Sequence, residues 1–150
     1  MRAPPPCWKK PWRVQTLEMP WGMADVTTML GHVAQQLQNY PLAKARYRES
    51  LTLYRQLRSP AYVAWCQEGL AATLCAEEHY AQATRLCAAA VTLREQARTP
   101  LPLAEREAFE QTVATAKTAL DEANFGEEWA IGTAFTHDEA IDYALSDACT

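Results

Sequence analysis

Three prolines spaced forty residues apart are the feature that most restricts how this chain can fold. An alanine follows each of Pro20, Pro60 and Pro100 four residues later. Shifting residues 26–60 by forty onto residues 66–100 gives eight identical pairs: Leu30/Leu70, Tyr40/Tyr80, Ala43/Ala83, Thr52/Thr92, Leu53/Leu93, Gln56/Gln96, Arg58/Arg98 and Pro60/Pro100. Self-similarity at a period of about 20–50 residues is typical of helical hairpins stacked side by side.

The composition and the spacing of apolar residues both predict helices. Residues with high helix propensity dominate, and the 150 residues include only five glycines. Leu30, Val33, Ala34 and Leu37 share one helical face, which we expect to lie in the core. The predicted helices span residues 21–37, 42–57, 61–77, 80–98, 102–121, 124–131 and 137–146.

Short signals separate these helices. The Ser-Pro and Thr-Pro steps at Pro60 and Pro100 suit the start of a new hairpin, because proline is tolerated in the first helical turn. Near the C-terminus, Thr136 and Glu139 have the spacing of a capping box, in which each side chain accepts a hydrogen bond from the other residue's backbone N–H. A helix is therefore predicted to begin directly after Thr136.

The first repeat unit, LGHVAQQLQNYPLAKARYRESL (residues 30–51), resembles a tetratricopeptide repeat (TPR). Leu30 and Gly31 match the Leu-Gly step of that family, and Ala43 and Tyr47 match its A-x3-F step. Small residues allow paired helices to approach closely, and large residues fill the space between hairpins. The period here is longer than the 34 residues of the family. The resemblance implies an all-α fold, a short TPR-like α-solenoid of stacked antiparallel hairpins closed by a C-terminal helical cap.

The repeat divides the chain into three predicted regions. Residues 1–19 are expected to be a poorly ordered N-terminal segment with the stub of a preceding repeat, because they contain Pro4-Pro5-Pro6 and little helical spacing. Two TPR-like hairpins follow at 20–59 and 60–100. The remaining residues, 101–150, form an acidic helical cap that covers the apolar face of the last hairpin.

The C-terminal half resembles one particular kind of TPR region. It is similar to the end of large bacterial signal-transduction ATPases of the STAND or AfsR-like type and of LuxR-type transcriptional regulators. The shared features are Leu93-Arg94-Glu95, Pro100-Leu101-Pro102, Trp129, Gly132 and the capped helix from Thr136 to Leu145. The resemblance implies that the chain is the tail of such a protein. It contains no G-x-x-x-x-G-K-[ST] loop for a nucleotide.

Charge and hydropathy argue against two classes of partner, nucleic acids and membranes. The net charge is −4, with +5 on residues 1–100 (12 basic, 7 acidic) and −9 on residues 101–150 (2 basic, 11 acidic). An acidic chain argues against direct nucleic-acid binding. The sequence has no apolar run long enough to span a bilayer and no secretory signal pattern, so we expect a cytoplasmic protein without a membrane partner.

The residues that could support chemistry are scattered. His32, His79 and His137 are isolated, and acidic neighbours such as Glu127 and Glu128 do not face each other on a helix. The five cysteines lack paired spacing, so we expect reduced thiols, with Cys75 and Cys87 acting as small apolar residues. Neither a metal site nor a cofactor is expected, and the chain is predicted not to be an enzyme.

A partner is expected to bind the inner face of the first helix of each hairpin. Counting along those helices by three and four gives eight candidate residues: Asp25, Thr28, His32, Gln35, Trp65, Glu68, Ala72 and Cys75. Trp21 and Trp65 could either pack between hairpins or anchor a partner. The expected partner is a protein or peptide, which could be another domain of a longer parent protein. Two alternatives remain. One is a regulatory tail that senses an effector, a small molecule or a peptide, and the other is an enzyme or a small-molecule-binding bundle.

Overall fold

The structure is a computed structural model that describes the backbone of residues 12–146 and the side chains of residues 22–146. The described residues form seven helices and no strand, which confirms the predicted all-α fold. The helices are α1 (Trp12–Gln36), α2 (Tyr40–Leu57), α3 (Pro60–Ala76), α4 (Tyr80–Ala97), α5 (Leu103–Ala119), α6 (Glu122–Ala134) and α7 (His137–Leu145). Apart from the start of α1, every boundary falls within about four residues of its predicted position.

Helix α1 begins at Trp12 and continues through Pro20, so the start predicted near residue 21 is wrong. A proline inside a helix removes one backbone hydrogen bond and crowds the preceding turn. The neighbouring residues Leu17, Glu18 and Met19 have high helix propensity, which favours continuation of the helix. Residues 12–19 therefore belong to α1 rather than to a separate stub. The rest of the predicted N-terminal segment, residues 1–11, lies outside the described residues.

Helices α1 and α2 form one hairpin and helices α3 and α4 form the next, with α2 packed against α3. The forty-residue period is visible in the backbone. Gln38 and Glu78 have positive φ angles of 60° and 67° at the turn inside each hairpin. Arg58 and Arg98 have φ angles of 53° and 54° at the exit of each hairpin. Each hairpin thus has one residue in the left-handed conformation after its first helix and another after its second helix, at equivalent positions of the repeat.

The left-handed residue at each hairpin exit is a site of backbone strain. A side chain at positive φ costs about 1–2 kcal/mol, a cost that glycine avoids. We therefore expect Arg58→Gly to raise the free energy of unfolding by about 1 kcal/mol, as measured by urea denaturation. Gln56→Gly is the matched control, because Gln56 is an exposed residue within α2, where glycine should destabilise by about 1 kcal/mol. Equal effects of the two substitutions would contradict this account.

Tyr47 fills the space between the two hairpins. Its side chain is fully buried. An added Cβ at Gly31 would lie 3.0 Å from the Tyr47 ring, and one at Gly69 would lie 2.5 Å from it. Glycine at these positions of α1 and α3 lets the tyrosine of α2 fit between them, which is the small-and-large pattern predicted from the repeat.

Three buried cysteines are part of the same core. Cys66, Cys75 and Cys87 are free thiols on α3 and α4, as predicted for Cys75 and Cys87. Burial raises the pKa of the Cys66 thiol to about 12, so it stays protonated at neutral pH. The other two cysteines, Cys7 and Cys149, lie outside the described residues.

The last three helices cover the repeats on two sides. Helix α5 packs beside α3 and α4, whereas α6 lies mainly along α4 and α7 reaches α2 and α4. The predicted capping box at the start of α7 is present, with both hydrogen bonds formed between Thr136 and Glu139. The acidic helices meet basic residues of the hairpins: Arg55 of α2 contacts Asp142 of α7 at 2.6 Å, and Arg85 of α4 pairs with Glu128 of α6. The opposite charges of the two regions are therefore matched at their interface.

The apolar face predicted for α1 is only partly in the core. Ala34 is buried, but Leu30, Val33 and Leu37 are 48%, 54% and 75% exposed. The prediction that these three residues lie in the core is wrong. The equivalent of Leu30 in the second repeat, Leu70, is fully buried. The difference arises because α2 packs against α3, and none of the described helices takes the corresponding position against α1.

Candidate functional site

A groove runs between the inner helices α1, α3 and α5. It encloses a cavity of about 370 Å³, within the size range of ligand pockets. We call this surface the inner groove. Its lining residues are His32, Gln35, Gln36, Trp65, Glu68, Gly69, Ala72, Ala104, Glu105, Ala108, Phe109 and Thr112.

Trp65 is the largest side chain in the inner groove and is half-buried. Its ring lies 5.3 Å from the His32 imidazole and 6.2 Å from the Tyr62 ring, measured between ring centroids. Tyr62 in turn stacks on Tyr54 of α2 at 5.0 Å. The indole is therefore held by aromatic neighbours on two sides while part of it remains accessible from the groove.

His32 is held by hydrogen bonds beneath the groove surface. The Tyr47 hydroxyl donates to Gln35 Oε1 at 3.0 Å and lies 2.9 Å from His32 Nδ1. Because the hydroxyl has a single proton, His32 Nδ1–H must donate to the Tyr47 oxygen, which leaves Nε2 as an acceptor. Nε2 is buried and has no hydrogen-bond partner among the described residues. Burial also lowers the pKa of His32, so the neutral ring is favoured.

Glu68 supplies a carboxylate at the side of the groove. It forms a two-point ion pair with Arg94 of α4, in which Arg94 Nε and Nη2 both donate to the carboxylate, the second at 3.0 Å. The two side chains are each 10% exposed. Burial raises the pKa of Glu68, and Arg94 opposes that rise, while Glu105 across the groove reinforces it. Since Arg94 neutralises Glu68, Glu105 leaves the groove with a net negative charge.

A second cavity adjoins the inner groove behind Glu68 and Phe109. Its volume is about 420 Å³, and Val91, Pro100 and Leu101 contribute apolar walls. It lies between α3, the end of α4, the linker to α5 and α5 itself. The two cavities share Glu68 and Phe109, so an apolar group in the groove has space to extend toward the linker.

Five of the eight residues predicted from the sequence line the inner groove: His32, Gln35, Trp65, Glu68 and Ala72. The other three do not line it. Asp25 accepts a hydrogen bond from the Tyr54 hydroxyl at 2.5 Å, and Thr28 is fully buried and donates to the Ala24 carbonyl. Cys75 is buried, with its thiol directed at the Thr112 carbonyl. Trp21 lies outside the residues whose side chains are described.

The groove residues contributed by α5 were missed in the sequence analysis. They are Ala104, Glu105, Ala108, Phe109 and Thr112. The signal that could have found them is the forty-residue shift itself, which places Glu105 at the position of Trp65 and Ala108 at the position of Glu68. Helix α5 thus acts as a third inner helix as well as part of the C-terminal region.

Two further classes of site are absent from the described part of the chain. Among residues 22–146, no group of three or more His, Cys, Asp or Glu side chains is arranged to hold a metal ion. None of the described helices is long and apolar enough to cross a bilayer.

The comparisons with known proteins address the repeats. A family model described as a tetratricopeptide repeat matches residues 22–96, which is half of the 150-residue chain and includes most of both hairpins. No curated protein and no solved structure matches the chain.

Proposed function

The chain belongs to the tetratricopeptide repeat family, and on that premise we propose that its inner groove binds a peptide segment of a partner protein. The observation that carries the proposal is the convergence of three inner helices on one cavity beside the half-buried Trp65. A large amphipathic ring in a partly desolvated cleft is typical of residues that dominate protein recognition. In this proposal the module has no catalytic role and needs no cofactor.

The chemistry of the groove favours one kind of peptide. Trp65 and Phe109 offer apolar surface for an aliphatic or aromatic side chain. Glu105 offers a carboxylate. We therefore expect bound peptides to combine an apolar side chain with a nearby lysine or arginine.

Two alanines of α5 allow a matched test of this proposal. Ala108 and Ala114 are both exposed, but only Ala108 lines the inner groove. Peptides would be selected on the wild-type chain by phage display, and their affinities measured by fluorescence anisotropy. We expect Ala108→Arg to weaken binding at least about tenfold, because the side chain fills the groove and repels a basic peptide, whereas Ala114→Arg should bind like the wild type.

Two outcomes would count against the peptide groove. One is that no peptide is enriched on the wild-type chain. The other is that Ala108→Arg and Ala114→Arg bind the selected peptides equally well, which would place the binding surface elsewhere.

We further propose that the module is the C-terminal part of a bacterial signalling ATPase or transcriptional regulator and works in the cytoplasm. The support is the resemblance of the segment from Leu93 to Leu145 to such proteins. A reading frame that continues upstream into an ATPase or DNA-binding domain would favour this proposal. A stop codon directly upstream of the chain would contradict it.

The adjoining cavity favours a second candidate, an effector-sensing tail that binds a small molecule. Val91, Pro100, Leu101 and Phe109 form an apolar enclosure of about 420 Å³ at the linker between α4 and α5. A thermal-shift screen with common metabolites would test it. We expect at least one ligand to raise the melting temperature of the wild type but not that of Val91→Trp, in which the larger side chain fills the cavity. If no ligand behaves in this way, the second candidate is wrong.

A further inference from the structure

Helix α1 carries an apolar face that none of the described helices covers. Five residues follow one another at alternating intervals of three and four: Met23, Val26, Leu30, Val33 and Leu37. We call these five residues the α1 seam. Each of them is between 48% and 75% exposed. Alternating spacing of this kind is the pattern of a helix that packs along its length against another helix.

The small and the large apolar residues of α1 lie on adjoining faces. Ala24, Gly31 and Ala34 face the α2 hairpin partner and are buried. The bulkier seam residues lie on the face beside them, and Met29, 61% exposed, continues that exposed surface. A helix that is apolar on both faces is normally covered on both faces. Leaving the bulkier face in water would forfeit the larger part of the apolar burial available to α1.

The second repeat shows what should cover this face. The residues forty positions after the first four seam residues are Val63, Cys66, Leu70 and Thr73 of α3, and all four are fully buried. Helix α2 packs against α3. By analogy with α3, the α1 seam is shaped to receive one more apolar helix.

We propose that the occupant is α1 of a second copy of this chain, which makes the protein a homodimer. The seam and its flanks are uncharged from Val26 to Gln38, so two copies can approach without like-charge repulsion. A charged partner would find nothing to pair with there.

The exposed area reaches the lower limit for a specific interface between two copies. The five seam residues and Met29 together expose on the order of 500 Å² per copy, or about 1,000 Å² for two copies, which is the lower range of specific interfaces. Helix α1 is also 25 residues long, compared with 18 for α2, so it extends past the end of its hairpin partner.

The test measures the mass of the whole chain in solution across a concentration series that reaches about 100 μM. Leu30 is the middle residue of the seam, so it faces Leu30 of the other copy in a two-fold pairing centred there. We expect a dimer for the wild type and monomers for both Leu30→Glu and Leu30→Lys. An equimolar mixture of the two variants should restore the dimer, because opposite charges then face each other.

Leu103→Glu is the matched control, since Leu103 is a 79% exposed leucine of α5 outside the seam. It should leave the dimer intact, and circular dichroism should show that every variant remains helical. A monomeric wild type would overturn the proposal and would indicate that an upstream repeat of a longer protein covers the seam. A dimer that persists in Leu30→Glu, or a mixture that remains monomeric, would also overturn it. None of these readouts depends on peptide binding to the inner groove.

Discussion

Replacing Gly132 with alanine is expected to lower the free energy of unfolding by about 3 kcal/mol, the upper part of the range for overpacking. Gly132 lies in α6 where that helix crosses α4. An added Cβ would lie 2.2 Å from the backbone carbonyl oxygen of Arg85 and 2.8 Å from the Ala88 Cβ. Backbone atoms within a helix cannot move away as a flexible side chain can, so α6 itself must be displaced.

Gly126 is the matched control on the same helix. An added Cβ there would meet nothing within 4 Å. Alanine has a higher helix propensity than glycine, so Gly126→Ala is expected to raise the free energy of unfolding by about 0.5–1 kcal/mol. Urea denaturation followed by circular dichroism measures both variants. If Gly132→Ala were as stable as Gly126→Ala, α6 would not depend on the close approach to α4.

The predicted effect of Gly132→Ala indicates which contacts hold α6 and α7 against the hairpins. The pairs Arg85–Glu128 and Arg55–Asp142 join α6 and α7 to the hairpins, but partly exposed ion pairs contribute only about 0–1 kcal/mol each. The close contact at Gly132 and the fully buried Ile141 and Ala144 should contribute more. A displaced α6 would therefore lose most of its packing against α4, even with the charged residues unchanged.

The repeat made the two hairpins predictable. Pro60 lies in the first turn of α3, and the capping box at Thr136 begins α7. Both helix starts could be predicted, because each depends on only a few neighbouring residues. The start of α1 was not predictable in the same way. Pro20 shares with Pro60 the alanine four residues later, but Met19 stands before it in place of a serine, and the residues before it favour a helix.

The residues that line the inner groove could be predicted where helical spacing alone decides their position. They could not be predicted where the packing of neighbouring helices decides it. His32, Trp65 and Glu68 follow from counting along a helix. Thr28 has the same spacing, yet it is buried, because α3 covers it and brings Cys66 Sγ to 3.5 Å from its hydroxyl oxygen. Leu30 shows the reverse case, since a residue of core character is exposed where none of the described helices packs against it.

Replacing Arg94 with methionine is expected to lower the free energy of unfolding by about 3 kcal/mol at neutral pH, the cost of leaving one partner of a buried ion pair without the other. Glu68 and Arg94 are each only 10% exposed, so water cannot replace the lost guanidinium. Arg94 Nη1 also donates to the Thr99 carbonyl at 3.2 Å, and that bond ties the linker before α5 to α4. The loss should therefore be larger than for an exposed pair such as Arg46–Glu49, for which Arg46→Met is the control.

The pH dependence separates the buried charge from a simple packing defect. Burial already raises the pKa of Glu68 in the wild type, and Arg94 opposes the rise. Without Arg94 the pKa rises further, so the folded state holds a proton that the unfolded state releases above about pH 4.5. The destabilisation of Arg94→Met relative to the wild type should then shrink as the pH falls from 7 toward 4.5. Adding Glu68→Gln should recover part of the stability at pH 7 and remove this pH dependence, whereas a loss that is equal at both pH values would show that the charge of Glu68 is not its cause.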